Sequence, residues 1–294
     1  MCAKPILIAT VLTATLLAGT ASAWPFGAAK KDAPVATAST PPKPAQVTAG
    51  AKKASPDERA KVERLDPMTR VAFWTRETNF DPGDADAGVG LANALRALGR
   101  YEEAADAADR VLGLHPKYGP ALMEVARARI SDNKGFYAVR PLQDAAALDP
   151  RDVKPWALLG VAYEQNEQPD LAKAAYEQAL KLAPDNAAAL TNYALFKATH
   201  GDPGAAEAML RRAVAQPSAG ATERQNLALV LGLEGKITEA ERLIRQDLPP
   251  EAADTNLAYL RTLNTAKAAG ASASARSWSS VQASEAAQAK TPSR

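Results

Sequence analysis

Two histidines and one cysteine are the scarcest chemistry-bearing side chains of this 294-residue chain. Neither type stands where its chemistry needs company. His115 comes just before Pro116 and His200 just before Gly201, so both fall in connections between elements. They are 85 residues apart, without the close spacing that builds a zinc site. Cys2 precedes an apolar run at the start of the chain, and everything after it lacks the thiolate needed for a disulfide, a cysteine nucleophile or an iron–sulfur centre. Glu102-Glu103 could form an acid–base pair, but both open a helix, where carboxylates face the positive end of the dipole. Gly88-x-Gly90 lies inside a helical pattern with no strand before it, which does not suit a dinucleotide loop. No nucleophile elbow, phosphate loop or zinc helix is present. The expectation is a non-enzyme with no metal and no cofactor.

The elements that would position such residues divide the chain into tails and body. Lys4, the apolar stretch from Pro5 to Gly19 and Ala21-Ser22-Ala23 have the layout of a cleavable secretory signal. Its 15-residue apolar run is shorter than the ~20 residues a membrane span needs. Residues 1–23 are therefore expected to be removed, leaving Trp24 first. Residues 24–54 are rich in Pro, Ala and Lys around Pro41-Pro42-Lys43-Pro44 and read as a disordered linker. Residues 265–294 read as a second disordered tail. The segments 24–54 and 265–294 carry +4 and +3, while 55–264 carries −6. An acidic body with basic tails argues against nucleic acid as a partner.

The body repeats every 34 residues. Leu91, Val125, Leu159, Tyr193 and Leu227 keep that step, as do Ala104, Ala138, Ala172, Ala206 and Ala240. Pro82, Pro116, Pro150 and Pro184 follow it too, and Pro217 comes one residue early. A fixed period of this size indicates a solenoid of helix pairs. Small residues at 92, 126, 160, 194 and 228 would let paired helices approach. Five units are expected at 85–118, 119–152, 153–186, 187–220 and 221–250. A capping-helix region is expected over 55–84, with Asp66 as N-cap and Pro67 first in its helix. A second capping helix is expected at 251–264. In the second unit, Pro141 suggests a helix that starts near Tyr137, so that the proline falls in its first turn.

Residues 153–186 read Trp156-x2-Leu159-Gly160-x2-Tyr163, then Ala172-x3-Tyr176 and Pro184. This resembles the tetratricopeptide repeat (TPR), with Tyr176 where the pattern often has Phe. The resemblance implies an all-α, right-handed TPR solenoid of about five helix pairs with flanking capping helices. It also implies a concave face, lined by the first helix of each pair, that binds extended peptides or partner helices. Measured by the motif, the inward positions include Asn93, Arg96, Met123, Glu124, Arg127, Lys154, Thr191, Asn192, Gln225, Asn226 and Asn256. Asn192, Asn226 and Asn256 hold equivalent places, and such an amide ladder could bond a partner's backbone. Trp278, alone in an Ala/Ser-rich tail, could anchor a partner or dock back on the array's own C-terminal cap; Trp24 and Phe26 pose the same question.

Several longer stretches also resemble the TadD family, the TPR component of the tight-adherence (Tad, or Flp) pilus system. They are Asp66 through Trp74, Asp84 through Tyr101, Gly135-Phe136-Tyr137-Ala138 with Pro141-Leu142, Arg224 through Leu233, and Arg245 through Glu251. The resemblance implies a periplasmic, non-catalytic scaffold that supports the pilus secretin or another Tad component, in surface adherence and biofilm formation. It implies protein partners, no small-molecule substrate and no direct membrane span. Such proteins often carry a lipid on a cysteine after Leu-Ala-Gly; here Leu17-Ala18-Gly19 is followed by Thr20, so association with the outer membrane is expected only through partners. The alternative is a general periplasmic TPR adaptor or holdase for another envelope complex.

Overall fold

Small residues set the architecture. Ala92, Ala126, Ala194 and Ala228 on first helices are fully buried, and so are Ala104, Ala138, Ala172, Ala206 and Ala240 on second helices. In the third unit, a side chain on Gly160 would run into the Tyr176 ring, so the two helices can meet only through a glycine.

The computed structural model describes residues 53–265. Its helices are α1 (Pro56–Val62), α2 (Pro67–Phe80), α3 (Ala85–Ala97), α4 (Tyr101–Leu114), α5 (Gly119–Ser131), α6 (Gly135–Leu148), α7 (Val153–Gln165), α8 (Pro169–Leu182), α9 (Ala187–Thr199), α10 (Pro203–Val214), α11 (Ala221–Leu233) and α12 (Ile237–Asp247). A last helix, α13, covers 250–265. Among the described residues there is no strand, and no helix is long and apolar enough to cross a membrane. Each helix from α2 to α11 packs on the next, and successive first helices also touch, as α3 does α5 and α9 does α11. The result is an all-α solenoid of helix pairs. The signal peptide, Trp24, Phe26 and the tail bearing Trp278 lie outside the described residues.

Local chemistry sets the helix boundaries. Asp66, Asp84, Asp152, Asn186 and Asp202 each cap a helix, their side chains accepting a first-turn amide. The turn inside each unit needs one residue in the left-handed region. Gly99, Asn133, Glu167, Gly201 and Gly235 take that place, 34 residues apart. Glu167, at φ 56°, holds it with a full side chain.

The start of α6 differs from the sequence expectation. It begins at Gly135, which leaves Pro141 inside the helix. The repeat register overrides the proline. A Cβ on Gly135 would stand 2.6 Å from the Ala162 carbonyl oxygen, so this glycine marks where α6 meets α7. The carbonyl that Pro141 cannot serve belongs to exposed Tyr137, where water can reach it.

The N-terminal end is held by an ionic clasp. Glu77 is 2% exposed and accepts from the Ala54 amide at 3.0 Å and from Arg59 at 2.9 Å. Arg59 also reaches Asp84 at 2.6 Å, and Lys53 reaches the same carboxylate at 2.8 Å. The Arg59 guanidinium lies 5.4 Å from the centre of the Trp74 ring. Trp74 in turn packs on Gly90, where a Cβ would come within 2.5 Å of the indole. Gly88 and Gly90 thus serve packing, against Val111 and Trp74.

Glu167→Gly relieves a left-handed side chain and is expected to stabilise the array by about 1 kcal/mol, read from thermal melts. The clasp has a pH signature of its own. Burial alone would push Glu77 and Asp84 up, but Arg59, with Lys53 at Asp84, overrides it and holds both carboxyls below their ordinary 4.5 and 3.8. A depressed carboxyl stabilises the fold above its unfolded value and loses that contribution as pH falls towards its folded one. The melting temperature is therefore expected to drop as pH falls below about 4.5, and the drop should be shallower in Arg59→Met.

Candidate functional site

The first helices α3, α5, α7, α9 and α11 present one another with side chains at equivalent heights, and these form the candidate surface. At the N-terminal end it is charged. Glu124, 3% exposed, accepts from Arg96 Nε at 3.0 Å and from Arg127 at 2.6 Å. One buried carboxylate thus holds two guanidiniums. Asn93 accepts from Arg70 at 2.8 Å, which ties the first unit to α2.

Further along, the surface turns to amides and apolar groups. The expected ladder is present, but it is sunk into the structure. Asn192, Asn226 and Asn256 are 8%, 6% and 4% exposed. Met123 is 7% exposed and belongs to an apolar cluster with Leu122 and Ala126. The motif gives the angular position of these residues on their helices and not their depth, which the structure supplies. Lys154 is exposed, Gln225 is half-buried, and Arg127 is the more open of the two guanidiniums on Glu124. Thr191 Oγ1 and Asn256 Nδ2 are buried without a hydrogen-bond partner.

The middle of the array carries an aromatic and acidic cluster that the sequence did not single out. Tyr176 OH donates to Glu164 at 2.6 Å, and its ring stacks on Tyr193 at 5.4 Å. Burial raises the Glu164 carboxyl, against the opposing pull of the Tyr176 hydroxyl. Tyr193 donates to Glu177 and is pushed up to about 12 by burial and that carboxylate. The histidines do not meet. His115 contacts the Gly83 carbonyl oxygen and His200 the Phe196 carbonyl oxygen. Among the described residues, no group of three His, Cys, Asp or Glu could hold a metal ion.

Comparison with known proteins agrees with this architecture. One tetratricopeptide-repeat family model matches residues 153–186 and another matches 74–128. A thermophilic TPR protein from Thermus thermophilus is 23% identical and matches 61% of this chain and 100% of its own, with a TM-score of 0.55. A chain of the APC/C hetero-tetramer Cut9–Hcn1 is 16% identical and matches 69% of this chain and 40% of its own, with a TM-score of 0.57. Both are similar in fold. The comparison with curated proteins finds no match.

Glu124→Ala tests the charged end of the surface. It leaves Arg96 and Arg127 facing each other without their shared anion and is expected to cost about 3 kcal/mol in a denaturant titration. Glu124→Gln should cost less, since one amide oxygen still accepts.

Proposed function

We propose that this TPR solenoid is a protein-interaction scaffold that receives a polypeptide along its first helices. The observation that carries the reading is the run of polar first-helix side chains from Arg96 to Asn256, graded from charged to amide. A peptide backbone supplies repeated acceptors and donors, and the charged end suits an acidic group. The accessible readers are Arg127, Lys154 and Gln225; the buried amides act through the edge they expose.

The finer reading is a TadD-type assembly factor of the tight-adherence pilus system, exported to the periplasm and contacting the secretin or another Tad component. What supports it is the sequence resemblance, together with the way the resembling stretches meet. Arg224 in one stretch forms a two-point ion pair with Asp247 in another, at 2.8 and 2.6 Å. Arg70 and Trp74 of the first stretch contact Asn93 and Gly90 of the next. The residues outside the repeat motif therefore belong to joints of this particular array. A general periplasmic adaptor or holdase is the second reading, favoured by the same open surface if clients prove diverse.

Affinity capture from the envelope of the native host separates the two readings. A secretin or Tad neighbour recovered above all else supports the pilus reading; a broad scatter of clients supports the holdase; capture of nothing contradicts both. Lys154→Glu with Gln225→Glu is expected to weaken the captured interaction at least tenfold, with an unchanged melting curve.

A further inference from the structure

The 34-residue period fails at one buried position. Leu112, Leu180, Val214 and Leu248 all stand where the second unit has Ala146. The first three are packed against the apolar clusters, and Leu248 is itself part of one. With only a methyl group at 146, a cleft of about 430 Å³ opens between α6, α7 and α8. Ala146 and Ala147 line one wall and Leu171 the other; Trp156 and Tyr163 are also in the lining. Trp156 is larger than the leucines at 122 and 190 in its place, yet it does not close the gap. Its indole Nε1 is buried without an acceptor. Leu171 is 49% exposed. The cleft is therefore largely apolar, with Gln143 and Tyr163, bonded to each other, as its polar lining, and it opens between second helices α6 and α8 over α7.

We propose that this cleft receives the chain's own C-terminal segment around Trp278, so that the tail docks on α6 and α8. The lengths permit it. Thirteen residues separate Thr265 from Trp278, a reach of up to roughly 45 Å. The route back from α13 passes α11 and α9 to α7, each touching the next, at about 10 Å a step. The charges agree: residues 265–294 carry +3 and the body −6. The segment fits as well: Trp278 supplies an aromatic body for an apolar slot. Docking there would fix the tail on the face opposite the partner surface.

The test uses the full chain with a photo-reactive benzophenone side chain in place of Trp278, and cross-linked peptides mapped by mass spectrometry. Cross-links within one molecule to residues 143–147 or 171–175, with a yield unchanged on dilution, are expected. Ala146→Leu restores the residue the period calls for and fills the cleft. It should cut that yield at least tenfold while the melting temperature stays equal or rises, so that loss of docking is not mistaken for loss of fold. No cross-link, cross-links to α13 or to first helices, or a yield that Ala146→Leu leaves unchanged would overturn the proposal. Cross-links between molecules that vanish on dilution would overturn it in favour of a second copy.

Discussion

The array depends on how closely the two helices of each unit approach. Fully buried alanines on both helices, and Gly160 against Tyr176, bring the backbones together. A core with few aromatics can then still be densely packed, because dispersion gains rely on contact and not on large side chains. Every other feature follows from that spacing. It sets the register in which Gly99, Asn133, Glu167, Gly201 and Gly235 turn the chain, and it overrides Pro141 in placing the start of α6.

The same spacing explains which parts of the molecule were legible in the sequence. The period is chemically conspicuous because each contact tolerates only Ala or Gly, so the helix pairs could be read from residues such as Ala104 and Ala172. The turn residue of the third unit was harder to read, because Glu167 carries no sign of its left-handed backbone. The clasp of Arg59, Glu77 and Asp84 was not foreseen either. Its partners come from three separate elements, and no local pattern marks them.

The candidate surface was legible in angle only. The motif placed Asn192, Asn226 and Asn256 correctly on equivalent turns, but their depth depends on how neighbouring units close over them. Glu124 became the centre of the charged end because Arg96 reaches it from the preceding unit, a contact across 28 residues. The cleft at Ala146 shows the converse. The break in the period is visible in the sequence, but only the packing of α6, α7 and α8 shows that no described residue fills the space.

The central claim is that first helices carry recognition while second helices hold the array. Hydrogen exchange on the full chain, compared with and without its captured partner, tests this most directly. The account predicts added protection in α5, α7, α9 and α11 around Arg127, Lys154 and Gln225, with second helices unchanged on binding. Protection confined to second helices would contradict it.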